Sequence, residues 1–107
     1  MNDAASQIER TVTISNRYGL HARPAAEFVK LSSRFSSRIM VEKDGLEVNG
    51  KSIMGVMMLA AECGSSLRIR ALGEDSAEAV EALASLVIGG FNESPADYEL
   101  EDDPDES

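Results

Sequence analysis

Among its 107 residues the sequence has no tryptophan, one cysteine, one histidine and five aromatic side chains. A single cysteine, Cys63, excludes an internal disulfide and a cysteine-based metal cage, which suits a reducing compartment. Beside Gly64 it reads as a small apolar filler. One histidine without clustered ligands leaves no metal site to expect, and no glycine-rich nucleotide loop is present to bind ATP. No cofactor is expected. No apolar run approaches the roughly 20 residues needed to cross a bilayer, and no basic-then-apolar leader opens the chain. The expectation is a protein of the cytoplasm without membrane insertion. A basic stripe is also missing, and Tyr18, Phe28, Phe35, Phe91 and Tyr98 are not interleaved with cations, so no nucleic-acid partner is expected.

What the chain does have is acid, unevenly placed. The formal charge is -9, but residues 92–107 carry Glu93, Asp97, Glu99, Glu101, Asp102, Asp103, Asp105 and Glu106 with no Lys or Arg. The remainder is nearly neutral. A segment so charged, punctuated by Pro95 and Pro104, buries too little apolar surface to offset its ordering entropy and is read as a disordered, solvating tail. The organisation expected is therefore a flexible N-terminus over residues 1–7, one small domain over 8–91 and the acidic tail over 92–107.

Within the domain, hydrophobic period separates strands from helices. Ile8, Val12 and Ile14 alternate with polar residues, the mark of a half-buried strand, and Arg10 is the one discord. From Ala22, the spacing of Ala25, Phe28, Val29, Ser32 and Phe35 predicts one face of a helix, with Pro24 in its first turn, where a missing N–H costs nothing. Arg38–Lys43, the turn Asp44-Gly45 and Leu46–Val48 predict a hairpin. Ser52 followed by an apolar run to Ala61 predicts a short helix, although Gly55 weakens it. Leu67, Ile69 and Ala71 alternate with Arg68 and Arg70. Asp75-Ser76-Ala77-Glu78 resembles a capping box before a helix lined by Ala79, Leu83, Leu86 and Val87, which stops at Gly89-Gly90. The order β-α-β-β-α-β-α argues for an α+β open-faced sandwich: a four-stranded antiparallel sheet with three helices on one face.

The only histidine lies in Gly19-Leu20-His21-Ala22-Arg23-Pro24-Ala25-Ala26, at the predicted start of the first helix. An isolated histidine is most simply a surface or capping residue. At a helix start, however, unpaired N–H groups and the macrodipole suit a phosphoryl group, and the forked donors of Arg23 match phosphate oxygens. A histidine that accepts a phosphoryl group and hands it on needs little more. It must also be exposed, because two proteins have to reach it.

This motif resembles the active site of the histidine-containing phosphocarrier (HPr) family of the bacterial phosphoenolpyruvate-dependent phosphotransferase system. Lys51-Ser52-Ile53-Met54-Gly55-Val56-Met57 resembles the family's second motif, around a regulatory serine, and the likeness spans residues 8–91. Asn16-Arg17-Tyr18 and Gly89-Gly90-Phe91-Asn92-Glu93 are also similar to the nitrogen-branch paralogue, so sugar and nitrogen branches both stay open. The resemblance implies a carrier that is not itself an enzyme. Enzyme I would phosphorylate His21 through Nδ1, and His21 would pass the group to a IIA domain. Arg23 and the first-turn amides, beginning with Ala22, would hold the phosphoryl oxygens. Tyr18 stands where family members often have a small polar residue.

Ser52 by itself is a plain N-cap; within its motif it resembles the serine phosphorylated by HPr kinase/phosphorylase. Ile53, Met54, Met57, Met58 and Leu59 exceed what one face of a two-turn helix can bury. Their simplest reading is core, but the resemblance implies that Leu20, Ile53, Met54 and Met57 dock partners around His21, a use that suits adaptable methionine. A monomer is expected. From a different class, a small interaction module with an idle histidine also remains open.

Overall fold

The computed structural model describes residues 7–93. Along them run β1 (Gln7–Thr13), α1 (Ala22–Ser32), β2 (Arg38–Lys43), β3 (Leu46–Asn49), α2 (Ile53–Met58), β4 (Ser66–Leu72) and α3 (Ser76–Ile88), then a 3₁₀ turn over Gly90–Asn92. The strands form one antiparallel sheet in the order β1-β4-β2-β3. This is the α+β architecture read from the alternation and the helix signals.

Alternation along each strand produces the two faces of the sheet. Val12, Ile39, Val41, Leu67, Ile69 and Ala71 are buried, and Phe28 of α1, Val56 of α2 and Leu83 and Val87 of α3 belong to the same core. The opposite face is solvated, as one side of an antiparallel sheet can be. There Arg68 pairs with Glu9 and Glu42, and Arg70 with Glu47.

Arg10 also has an explanation. It stands opposite Ile69 in the β1–β4 register, in the row that faces the helices but at the sheet edge. From there its Nη1 reaches both carboxylate oxygens of Glu81 on α3 at 2.9 Å. An arginine at a core rim can cover apolar surface with its stem and keep its head in water.

Other local readings need correction. Gln7 already belongs to β1, so the N-terminal segment yields one residue to the sheet, and residues 1–6 lie outside the described residues. Ile8 is exposed at the edge strand. Cys63 is exposed in a turn, so it does not fill the core. Asp75 occupies the N-cap position of α3, but its side chain makes no capping bond. Its carboxylate accepts instead from the backbone and hydroxyls of Ser36 and Ser37, tying the start of α3 to the loop before β2. Two residues of the acidic segment placed from residue 92 onward belong to the described fold, because Asn92 closes the 3₁₀ turn and the Glu93 side chain is buried at its end. The rest of that segment lies outside the described residues. Among the described residues no helix is long and apolar enough to cross a membrane.

Candidate functional site

The loop between β1 and α1 is built from backbone closure. Gly19 N–H donates to Asn16 O at 3.2 Å, and Asn16 Nδ2 returns a bond to Gly19 O at 2.9 Å. Gly19 has φ +66°, and a Cβ there would lie 2.2 Å from Ala61 O. Only glycine tolerates both the left-handed backbone and that close approach. Leu20 N–H then donates to the same Ala61 oxygen at 2.9 Å, which fastens the loop to the segment after α2. The turn sends Leu20 into the core, where it is buried. Leu20 is thus corrected from a docking residue to a packing residue.

His21 follows as the N-cap of α1, with extended backbone (φ -77°, ψ -174°) and a carbonyl that accepts the first helical bond from Ala25 at 3.0 Å. Its side chain does not cap the helix and is about a quarter exposed. The N–H groups of Ala22 and Arg23 lie in the first turn, where no intrahelical acceptor exists. Pro24, buried in the same turn, has no N–H to leave unpaired. The Tyr18 ring stands edge-on to the imidazole, with centroids 6.1 Å apart, and the Arg17 guanidinium lies over Tyr18 at 5.1 Å.

The site also contains a carboxylate that charge counting assigned elsewhere. Glu93 Oε2 lies 2.9 Å from His21 Nε2 and 3.2 Å from Arg23 Nη2, while Oε1 accepts from Asn16 Nδ2 at 3.2 Å. Its side chain is only 1% exposed. Arg23 Nη2 donates to Phe91 O at 2.8 Å as well, yet its buried Nε has no partner among the described residues.

Glu93 arrives there through an unusual backbone. After α3 stops, Gly90, Phe91 and Asn92 all have positive φ, at 72°, 59° and 60°. Such a conformation costs on the order of 1–3 kcal/mol at each non-glycine residue. Complete burial of the Phe91 side chain, worth roughly 1.5–3 kcal/mol, helps to offset it. The sequence signal was Gly89-Gly90-Phe91, a helix stop with an apolar anchor two residues before the carboxylate. Asn16, buried and bonded to both the Gly19 turn and Glu93, was missed as well.

The second motif is on α2. Ser52 Oγ accepts from Gly55 N–H at 3.0 Å, the capping bond expected of it. The loop before it is held to α1 by Ser32 Oγ donating to Gly50 O at 2.7 Å, and to the segment after α1 by Lys51 Nζ donating to Phe35 O at 2.6 Å. Val56 and Leu59 point into the core, while Met54 and Met58 are 74% and 65% exposed and Ile53 and Met57 are exposed to a lesser degree.

A single accessible imidazole at a helix start, with a guanidinium and bare amides beside it, can offer a nitrogen lone pair to phosphorus and donors to its oxygens. That is the chemistry of a group carrier. Residues 8–88 match the family model described as the PTS HPr component phosphorylation site. The phosphocarrier protein HPr of Treponema pallidum (strain Nichols) is 48% identical over 86 residues, covering 80% of this chain and 98% of its own. The HPr-like protein Crh of Bacillus subtilis (strain 168) is 48% identical over 80 residues, covering 75% and 94%. Among solved structures, HPr-C-His from Thermoanaerobacter tengcongensis superposes with a TM-score of 0.78 at 49% identity, covering 81% of this chain and 98% of that one. The chain belongs to the HPr family and is a phosphocarrier of the phosphotransferase system, not an enzyme acting alone.

Proposed function

We propose that His21 is the phosphoryl acceptor, taking the group from enzyme I and passing it to a IIA domain in the cytoplasm. The observation that carries this reading is that the chain's one histidine is the accessible N-cap of α1, with Arg23 in the same helical turn. In the first transfer the His21 lone pair forms a bond to phosphorus as the donor's bond to phosphorus breaks and its electron pair returns to the donor. In the second, the acceptor's lone pair bonds to phosphorus as the His21 nitrogen–phosphorus bond breaks and its electron pair returns to the ring. Arg23 and the Ala22 and Arg23 amides offer donors to the phosphoryl oxygens. Incubation with enzyme I, magnesium and phosphoenolpyruvate should add one acid-labile, alkali-stable phosphate, and His21→Ala should accept none. An acid-stable label would overturn the assignment.

The same reading gives α2 two roles. Ile53, Met54 and Met57, exposed on a helix that packs beside α1, form the surface on which enzyme I and IIA domains dock. Ser52, at the start of that helix, is the site at which an HPr kinase/phosphorylase acts. The protein works as a monomer. One solved relative, an HPr from Thermoanaerobacter tengcongensis, crystallised as a dimer, so light scattering at working concentration is the direct check. The sugar and nitrogen branches are separated by which IIA protein, of either branch, drains the labelled phosphate.

A further inference from the structure

We propose that Glu93 is a positioning residue for phosphoryl transfer, setting which imidazole nitrogen of His21 is nucleophilic and holding Arg23 until the phosphoryl group arrives. The inference rests on His21 being the acceptor. Glu93 lies beyond residues 8–88, the part of the chain matched by the family model.

The first half follows from hydrogen-bond chemistry. An ionised carboxylate only accepts, so the 2.9 Å contact between Glu93 Oε2 and His21 Nε2 requires the proton on Nε2. In the neutral ring the lone pair then belongs to Nδ1. As Nδ1 bonds to phosphorus, positive charge develops on the ring, and the Nε2–H beside Glu93 is where a fixed carboxylate stabilises it. Fixing matters, because a carboxylate that had to reorganise would lose much of this advantage. Glu93 is fixed: its side chain is nearly fully buried, held on its other oxygen by Asn16, and anchored by Phe91 two residues earlier.

The second half concerns Arg23. In the unphosphorylated site its Nη2 is divided between Phe91 O and Glu93, and its buried Nε has no partner among the described residues. A buried, unsatisfied donor is costly, so this arrangement holds the guanidinium without using its full bonding capacity. A phosphoryl group on Nδ1 brings new anionic oxygens to the same turn, to which the fork can transfer. Glu93 is thus the resting partner of the group that later binds phosphate.

The test compares wild type, Glu93→Ala and Glu93→Gln in two measurements. One is the ring tautomer, from ¹H–¹⁵N correlations at a pH where the imidazole is neutral. The other is the single-turnover rate of phosphorylation by enzyme I. Wild type should show the Nε2–H tautomer. Glu93→Ala should show a mixture and transfer about tenfold more slowly, the scale of loss when a group orienting a functional imidazole is removed. Glu93→Gln keeps an acceptor oxygen, so it should restore the tautomer and recover part of the rate. A wild-type tautomer and rate in Glu93→Ala would overturn the proposal. So would equal slowing in both variants with the tautomer unchanged, since that is what a merely structural role would give. If wild type itself takes no phosphate, the acceptor reading fails, and the tautomer still reports whether Glu93 sets the proton.

Discussion

Asp75 and Ser37 are joined by two hydrogen bonds, the Ser37 N–H donating to Asp75 Oδ1 at 2.9 Å and the Ser37 hydroxyl to the same oxygen. The Ser36 N–H donates to Oδ2 at 2.8 Å. These bonds, the Ser37 hydroxyl foremost, favour the charged carboxylate and hold Asp75 at about 2, below its ordinary 3.8. Because the folded value is the lower one, this contribution is complete above the ordinary carboxylate range and is lost as pH falls from about 4 toward 2. Thermal midpoints measured against pH should fall through that window. Asp75→Asn should be less stable at neutral pH and should lack that part of the acid dependence; an unchanged acid limb would remove Asp75 as its source.

At Gly19, any side chain must take a left-handed backbone and meet Ala61 O at 2.2 Å and Glu62 Cα at 2.8 Å. Gly19→Ala should cost about 3 kcal/mol, combining backbone strain with overpacking. Urea unfolding measures it. A variant within 0.5 kcal/mol or so of wild type, the usual scale for a surface change, would mean the loop relaxes freely.

Arg23→Lys keeps the charge and loses the fork. Losing one charge-assisted hydrogen bond to the phosphoryl oxygens, about 1.5–3 kcal/mol, should slow transfer by roughly tenfold or more, with little change in thermal midpoint. Rapid-quench measurement with enzyme I and with a IIA partner gives both directions of the relay. Normal rates in both would show that Arg23 does not hold the phosphate.

Ser52 offers a separation between fold and regulation. Ser52→Ala removes the bond to Gly55 N–H and should cost about 1 kcal/mol. Ser52→Asp can cap equally well, so its melting temperature should match wild type or exceed it slightly. If enzyme I approaches through acidic groups, as the family resemblance implies, the added charge beside Ile53 and Met54 should nevertheless slow phosphorylation of His21 markedly. A normal rate at low salt, where repulsion is least screened, would leave Ser52 a plain cap.

The fold was largely legible because its signals are local. Alternation marks β2 and β4, Ser52 announces α2, and Gly19 marks the turn before His21. The discord at Arg10 was visible too, though its partner Glu81 lies on an element 71 residues away in sequence. The site was only half legible for a related reason. His21 and Arg23 share one helical turn, whereas Glu93 reaches them through three consecutive positive-φ residues that no periodicity encodes. Counted among its acidic neighbours, it resembled tail. Asp75 misled similarly: a capping residue's type was right, but tertiary partners at Ser36 and Ser37 claimed its oxygens. Leu20, a lone apolar residue after a glycine, carried no pattern from which its burial could be read.

Ala61 O receives the Leu20 N–H and abuts Gly19, so the loop that aims His21 is riveted to the chain leaving α2. The contact uses only main-chain atoms. If α2 docks partners as proposed, recognition and chemistry are coupled in position but independent in composition: the exposed side chains of α2 can be exchanged without re-aiming the imidazole. A lineage acquiring a new partner can rewrite Met54 or Met57 while the distance from that surface to the reacting nitrogen stays the same. The backbone rivet makes the exposed face of α2 an interchangeable part.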